Sequence, residues 1–262
     1  MNLEDTGRAA GTSRATVGRY EGKSGAVKWV IVDALCRAYR VPAKERKAVV
    51  DLAKSANVQG WWDNYADTIP HRITPLLMLE DEARGEWHWA TTYVPGLLQT
   101  REYATAVHRV IEPDASADEI ERKVDVRMKR QDVLRRPSPL SLSVVLDESV
   151  IRREVGGAKI MGEQLRHLVE SVGPTLELRV LPFSSGAHPA DSPSFMIIRG
   201  QEEGLDVVHT SNLTGALFLE KPAELDRHRV VFRQLQELAL DPSASADLLA
   251  EASERFATDA CT

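Results

Sequence analysis

Two absences narrow the class of this sequence before any motif is considered. Only two of its 262 residues are cysteines, Cys36 and Cys261, and they lie far apart without CxxC spacing. We therefore expect neither a disulfide framework nor a zinc site built on paired thiolates. No apolar run approaches the roughly 18 residues of a membrane span, and the acidic N-terminus carries no apolar segment of a secretory signal. The sequence predicts a cytoplasmic protein with no membrane partner.

The common motifs of metal and nucleotide chemistry are also missing. The seven histidines are scattered along the chain and form no HExxH or HxxxH pair. Gly156 and Gly157 are not followed by the Lys-Ser/Thr pair that a phosphate-binding loop requires. The sequence therefore predicts no metal site and no cofactor.

What is present is an ordinary globular composition with an uneven charge. Hydrophobic residues make up 43% and charged residues 27% of the chain, which suits a substantial core. Residues 1–60 contain eleven Lys and Arg against six Asp and Glu, a net charge of +5, and the rest of the chain carries −11. We expect two unequal domains, residues 1–59 and 60–262. A small basic domain beside a larger acidic one is typical of a nucleic-acid reader joined to a sensing or partner-binding module.

The basic segment predicts two short helices joined by a glycine-containing turn. The first covers residues 3–10, Gly11 suits the left-handed conformation that ends a helix, and the second covers residues 14–21. In a helix-turn-helix, the start of the second helix enters the major groove. We predict base contacts from Arg14, Ala15 and Thr16, and phosphate contacts from Arg19, Lys23 and Lys28.

The string SRATVGRYEG, with AYRVP after the next helix, resembles the helix-turn-helix domain of the Xre/Cro-type bacterial repressors. Two features depart from that family. Its domain opens with another helix before the motif, and its aliphatic packing positions are here Thr6, Gly7 and Thr12. We therefore expect a small all-α domain whose first helix is missing and whose motif is eroded. Either the true start codon lies upstream, or this domain no longer binds DNA well.

The acidic segment predicts helices and strands in mixed order. A helix over 75–90 carries the acidic run Glu80–Glu82, which we expect to face solvent, and a helix over 117–136 carries Arg127 and Gln131 on its apolar arc. Strands are predicted at 142–146, 176–181, 195–199, 206–210 and 216–219. A helix over 158–172 separates the first two strands, which predicts a parallel β-α-β unit with a right-handed crossover. The expected fold class is α+β, with a mixed sheet of about five strands.

This β-α-β unit also predicts a site. The C-terminal ends of neighbouring parallel strands lie side by side, where open α/β sheets bind ligands. Asp147 and Glu148 end the first strand, and the loop with His188 follows the second. Together with Arg127 and Gln131 they could bind a small polar or anionic metabolite. The alternative is a closed Arg127–Glu148 pair that only stabilises the domain. If the protein is an enzyme, Glu148 and His188 are the candidates for proton transfer.

A second and more extensive resemblance covers residues 60–255. The strings GWWDNYAD, LEDEA, VPGLLQTREYA, RMKRQDVL, LDESVIRREVGG, MGEQLRHL and VLPFSSGAH occur in this order. They resemble the DUF5753 domain, which follows an Xre-type helix-turn-helix in actinobacteria. The resemblance implies a regulator of the Scr1-type antitoxin-like family, which is frequently encoded beside a small DUF397 protein. The sequence departs from that family at His209 and Ser211, where Tyr and Glu are usual.

These observations favour a DNA-binding transcriptional regulator whose C-terminal domain senses a small ligand or a protein partner. Its expected partners are operator double-stranded DNA, a small-molecule effector, a DUF397-type protein and a second copy of the chain, since operators are commonly palindromic. Two alternatives stay open. One is an enzyme that acts on a small metabolite and carries an eroded helix-turn-helix, and the other is an antitoxin-like interaction module.

Overall fold

The chain divides into two compact units, Met1–Asn64 and Tyr65–Thr262. The computed structural model describes residues 2–21, 29–55, 60–65, 67–70, 73–191, 193–201, 205–213 and 215–260. The helices of the first unit are α1 (Leu3–Ala9), α2 (Arg14–Glu21), α3 (Trp29–Ala38) and α4 (Ala43–Ser55). Asn2 begins α1, because its side-chain oxygen accepts the backbone N–H groups of Glu4 and Asp5 at 3.1 and 2.8 Å.

The second unit is a mixed sheet packed between helices. Its strands are β1 (Gly85–Ala90), β2 (Ser141–Asp147), β3 (Leu176–Leu181), β4 (Phe195–Arg199), β5 (Val207–Asn212) and β6 (Gly215–Leu219). Its helices are α5 (Thr74–Glu82), α6 (Arg101–Ile111), α7 (Ala117–Arg130), α8 (Glu148–Arg152), α9 (Ala158–Ser171), α10 (Pro222–Leu238) and α11 (Pro242–Asp259). The predicted α+β class is confirmed. Among the described residues, no helix combines the length and apolar character needed to cross a membrane.

The six strands lie in the order β3-β2-β1-β4-β5-β6. The strands β1, β2 and β3 are mutually parallel, and the remaining neighbours are antiparallel. The helix α9 connects β2 to β3, so the predicted parallel β-α-β unit is present. Parallel strands require such a crossover connection, which is why a full helix lies between two neighbours of the sheet.

The central strand β1 replaces the second half of a predicted helix. The helix expected over 75–90 ends at Glu82, so the prediction is wrong for its second half. Residues Gly85–Ala90 form β1 instead, a strand that is buried on both faces. Its tryptophans point to one face, where Trp89 is fully buried. Glu86 and His88 point to the other face with only 1% and 9% of their surfaces exposed. Polar and apolar residues alternate from Glu86 to Trp89, which is the pattern of a strand, and the helix prediction overlooked it.

Two cores cover the two faces of the sheet. We call face A the face that carries Val144 of β2, and face B the face that carries Val145. The face A core contains side chains from α5, α6, α9 and α11, including Leu76, Tyr103, Leu165 and Leu249. The face B core is closed by α10 through Leu225, Phe232 and Leu235. A smaller cluster of Ala104, Ile120 and Val124 joins α7 to α6.

Candidate functional site

The turn between α1 and α2 depends on a close approach of two backbone segments. The Thr12 N–H donates to the Gly7 carbonyl at 2.8 Å. A Cβ on Gly7 would lie 2.9 Å from the Thr12 carbonyl oxygen, so only glycine fits there without a backbone shift. Gly11 has a φ of +65°, the left-handed conformation that the turn requires. Gly7 is thus required by this turn, although its departure from the Xre-type packing pattern predicted an eroded helix-turn-helix motif.

The predicted DNA contacts lie at the start of α2 and beyond it. Arg14 and Ala15 are the first two residues of α2, and both are exposed. The side chains of Thr16 and Arg19 lie outside the described part of the chain, as do Lys23 and Lys28 as a whole. Arg14 and Ala15 are therefore accessible to a partner.

In the second unit, the acidic residues at the end of β2 engage local partners. Asp147 caps α8, because its carboxylate accepts the Ser149 N–H at 2.9 Å. Glu148 Oε1 pairs with Arg152 at 2.9 Å, and Oε2 accepts the Phe183 N–H at 2.7 Å. Both carboxylate oxygens of Glu148 are engaged, and they fasten the loop after β3 to the start of α8.

His188 lies in that same loop but contacts the sheet rather than Glu148. The edge of its ring faces Trp89 with 5.3 Å between the ring centroids. His188 Nδ1 and Trp89 Nε1 are both buried, and neither finds a hydrogen-bond partner within the described ranges. Trp89 belongs to the face B core, so His188 lies on face B.

Arg127 and Gln131 are joined to a different segment, the loop 94–100 that precedes α6. Arg127 Nη1 donates to Gln99 Oε1 at 2.9 Å. Gln131 Nε2 donates to the carbonyls of Gln99 at 2.7 Å and Gly96 at 3.3 Å. Burial, reinforced by the neighbouring Arg130 guanidinium, lowers the pKa of Arg127 to about 10. The predicted helix over 117–136 ends at Arg130, and a 3₁₀ turn then carries Gln131 inward.

The loop 94–100 is fixed from other directions as well. Fully buried Gln164 accepts the Thr100 N–H at 2.7 Å and donates to the Leu98 carbonyl at 2.8 Å. The Tyr103 hydroxyl accepts the Val94 N–H at 3.2 Å, and burial raises the pKa of Tyr103 to about 12. The polar side chains around this loop satisfy backbone groups that a buried loop would otherwise leave unpaired.

The structure therefore separates the residues that the sequence placed in one site. Asp147 and Glu148 lie at the C-terminal end of β2, and His188 packs on face B. Arg127 and Gln131 bond to a loop whose Leu97 and Leu98 belong to the face A core. Among the residues with described positions, no hydrogen bond or ion pair connects the two groups. Within the described residues Arg127 and Glu148 each bond to other partners, so the alternative of a closed Arg127–Glu148 pair is not found there.

The sequence pattern did not predict a buried ion pair between α5 and α7. Glu80 of α5 is 1% exposed, and both of its carboxylate oxygens bond to the Arg130 guanidinium. Burial alone would lower the pKa of Arg130, but the Glu80 carboxylate raises it and holds the guanidinium charged. The expectation that the acidic run faces solvent is wrong for Glu80. Its spacing from Leu76 and Leu77, four and three residues earlier, could have indicated burial.

A second buried polar group lies on face A beside this pair. His88 Nδ1 lies 3.0 Å from Glu86 Oε1. His88 of β1 is paired with Met196 of β4, and Met196 is paired with His209 of β5, so the three residues lie in one row across the sheet. Burial and the Arg130 charge lower the pKa of His209 to about 4. Glu86 and His88 are buried, so we interpret them as part of the polar core rather than as groups presented to a substrate. In the part of the chain that is described, no three His, Cys, Asp or Glu side chains are placed to hold a metal ion.

Comparison with known proteins adds one finding. Residues 73–251 match the model of a family described as a domain of unknown function, DUF5753. No curated protein matches the chain, and no solved structure matches it. The matched range contains all six strands of the sheet and both groups of candidate residues in the second unit.

Proposed function

The chain belongs to the DUF5753 family, and we propose that it is a DNA-binding transcriptional regulator whose second unit responds to a small ligand or a protein partner. The observation that carries the proposal is the pair α1 and α2. Two short helices meet at a glycine turn, and the second presents exposed Arg14 and Ala15 at its first turn. A helix-turn-helix enters the major groove with the first turn of its second helix, so the exposure of these two residues supports the proposal.

Charge gives independent support for a nucleic-acid partner. The first sixty residues carry a net +5 in a chain whose total is −6. A basic domain attracts the phosphate backbone even where no base is read. The resemblance of SRATVGRYEG to the Xre-type repressors points to the same function, as does the resemblance of the second unit to Scr1-type regulators. By the same analogy the partners would be an operator and a small DUF397-type protein.

The proposal includes a homodimer located in the cytoplasm. Paired half-sites on DNA require two copies of the reading helix, and β6 offers a surface for that pairing. It is an edge strand without a charged residue between Gly215 and Leu219, and Leu217 is 56% exposed. Native edge strands commonly carry charges that prevent pairing. Sedimentation of the Leu217→Lys variant should therefore show less dimer than the unaltered chain.

The test is a titration of DNA taken from upstream of the protein's own gene. Arg14→Ala should weaken binding to the specific site by about tenfold to a hundredfold, since a base contact contributes ~1–3 kcal/mol. Arg166→Ala is the matched control, because it removes the same charge from an exposed position on α9. Equal losses in both variants, or no binding by the unaltered chain, would refute the proposal.

A further inference from the structure

A recess opens on the surface of the second unit at the N-terminal ends of β2 and β3. It has a volume of about 190 Å³ and lies between the 3₁₀ turns 96–98 and 131–134 and the end of α9. Leu142 and Leu176 lie side by side in the register of β2 and β3, and both line it.

The floor of the recess is apolar. Leu97, Leu98, Leu142 and Leu176 line it, and each belongs to the face A core with 2–7% of its surface exposed. An engineered apolar cavity of roughly 150 Å³ holds a molecule the size of benzene. The volume and the leucine floor therefore fit a compact apolar body of about six to ten carbon atoms, whose burial removes apolar surface from water.

The mouth of the recess is polar and carries an uncompensated cation. Arg135 and Thr175 line it and are exposed. Within the described residues, no hydrogen bond or ion pair engages the Arg135 guanidinium, whereas the next residue, Arg136, donates to the Asp81 and Ala83 carbonyls. A planar guanidinium matches a carboxylate through two parallel hydrogen bonds. The charge at the mouth thus favours an anionic head group of that shape.

Three further polar groups line the recess inside this mouth. Gln131 uses both hydrogens of its amide on the loop 94–100, which leaves its side-chain oxygen as an acceptor. Ser171 donates its hydroxyl to the His167 carbonyl. Burial lowers the pKa of His167, so its imidazole is neutral near pH 7. The Glu170 carboxylate opposes this shift and the Arg135 charge adds to it. Arg135 is therefore the charged group among the lining residues.

We propose that this recess binds a small monocarboxylate with a compact apolar body, the carboxylate at Arg135 and the body on the leucine floor. Nothing in the sequence drew attention to Arg135 or His167. The binding site lies at the opposite end of the strands from the one that the β-α-β unit predicted. The assignment rests on the proposed function, since it names the ligand to which the second unit would respond. Gln131 connects the recess to Arg127 of α7 through Gln99.

The experiment is a titration of the full chain, labelled at leucine methyl groups, with phenylacetate and with its neutral analogue phenylacetamide. Phenylacetate should shift the methyl resonances of Leu97, Leu98, Leu142 and Leu176 with a dissociation constant of about 1 mM or tighter. The resonances of Leu225 and Leu235, which lie on face B, should stay in place. Phenylacetamide should bind about tenfold more weakly or worse, because a charge-assisted bond is lost.

Two variants separate the site from nonspecific binding. Arg135→Gln should weaken phenylacetate by about tenfold or more and leave phenylacetamide unchanged. Arg166→Gln, an equal charge change at an exposed position outside the recess, should leave both ligands unchanged. Thr175→Phe, which places a ring at the mouth, should abolish the shifts of both ligands.

Three results would overturn the proposal: no leucine shift at 10 mM ligand (about tenfold above the expected constant), larger shifts on face B, or equal binding of acid and amide. Phenyl phosphate binding more tightly than phenylacetate would replace the carboxylate by a phosphate ester and overturn the assigned ligand class. Upstream DNA is titrated into the same samples. If phenylacetate binds and the DNA does not, the proposed regulator is refuted and the ligand site is kept. If the DNA binds and phenylacetate does not, the ligand site is refuted and the regulator is kept.

Discussion

At the scale of single residues, the pair Glu80–Arg130 is a buried ionic contact that joins α5 to α7. Both side chains are largely buried, at 1% and 11% exposed. A buried ion pair gives little net stability compared with apolar residues, but removing one partner leaves an uncompensated charge. The cost of removing one partner and the effect of replacing both partners by apolar residues can each be measured.

We expect Glu80→Gln to lower the free energy of unfolding by ~3–5 kcal/mol, because Arg130 keeps its charge and loses its carboxylate. Glu82→Gln is the matched control at an exposed position of the same helix, and it should change stability by less than about 0.5 kcal/mol. The double variant Glu80→Leu, Arg130→Met should be more stable than Glu80→Gln. Urea denaturation followed by near-UV circular dichroism measures all three. Equal stability of the two glutamine variants would contradict the burial of this pair.

The buried histidines predict a pH dependence of stability. Burial is the main cause that lowers the pKa of both His108 and His209 from 6.5 to about 4. Between these values the unfolded chain takes up protons that the folded chain does not. The stabilising effect of the neutral rings is therefore complete above pH 6.5 and is lost as the pH falls toward 4.

Urea denaturation at pH 7.5, 6.5 and 5.5 should show this fall in stability. His209→Phe keeps a ring beside Phe218, whose centroid lies 4.9 Å from that of His209, and removes the titrating group. Its stability should fall less steeply with pH than that of the unaltered chain. Parallel pH profiles for the two proteins would show that His209 is protonated as readily in the folded state as in the unfolded one.

At the scale of elements, the two glycines of α1 and α2 give opposite predictions for the same substitution. Gly7→Ala forces a Cβ to within 2.9 Å of the Thr12 carbonyl and should destabilise the first unit. Among the described residues, the Cβ of Gly18→Ala meets Leu3 Cδ1 at 3.9 Å, an ordinary contact, and the substitution should stabilise the first unit by ~0.5–1 kcal/mol through helix propensity. Thermal melts of both variants check the pair. A stabilising Gly7→Ala would mean that the turn does not approach α1 closely.

Sequence patterns predicted elements whose environment is simple. The strands β2 and β3 are rich in Leu and Val and lie either side of an amphipathic helix, so their parallel pairing followed from the handedness and crossover rules. The strand β1 was missed although polar and apolar residues alternate from Glu86 to Trp89. Such alternation predicts a solvent-exposed polar face, whereas Glu86 and His88 are buried, and only the tertiary structure shows that both faces of β1 are covered.

The candidate site shows the same limit. Helical phase indicated that Arg127 and Gln131 face inward, and both do engage the interior. Their partner could not be predicted, because the path of α7 over the loop 94–100 depends on the packing of α6 and α7. Within the described residues Arg135 has no ion-pair partner. This depends on the positions of all its neighbours, and no local pattern of residues encodes it.

At the scale of the whole molecule, the two units predict independent folding of the larger one. Residues 65–262 contain the complete sheet, both of its cores and the helices that cover them. A domain with its own core can fold alone. The isolated fragment should therefore give one cooperative thermal transition, followed by far-UV circular dichroism. A broad transition without cooperativity would show that the first unit is needed to complete the fold.

The central claim is that the first unit makes this chain a DNA-binding protein. Its most direct test compares the full chain with residues 65–262 on fluorescently labelled DNA from upstream of its own gene, at increasing salt. For the full chain the logarithm of the affinity should fall linearly with the logarithm of the salt concentration, by about 0.9 for each phosphate contacted. The fragment should not bind. No salt-dependent binding by the full chain, or equal binding by the fragment, would contradict the account.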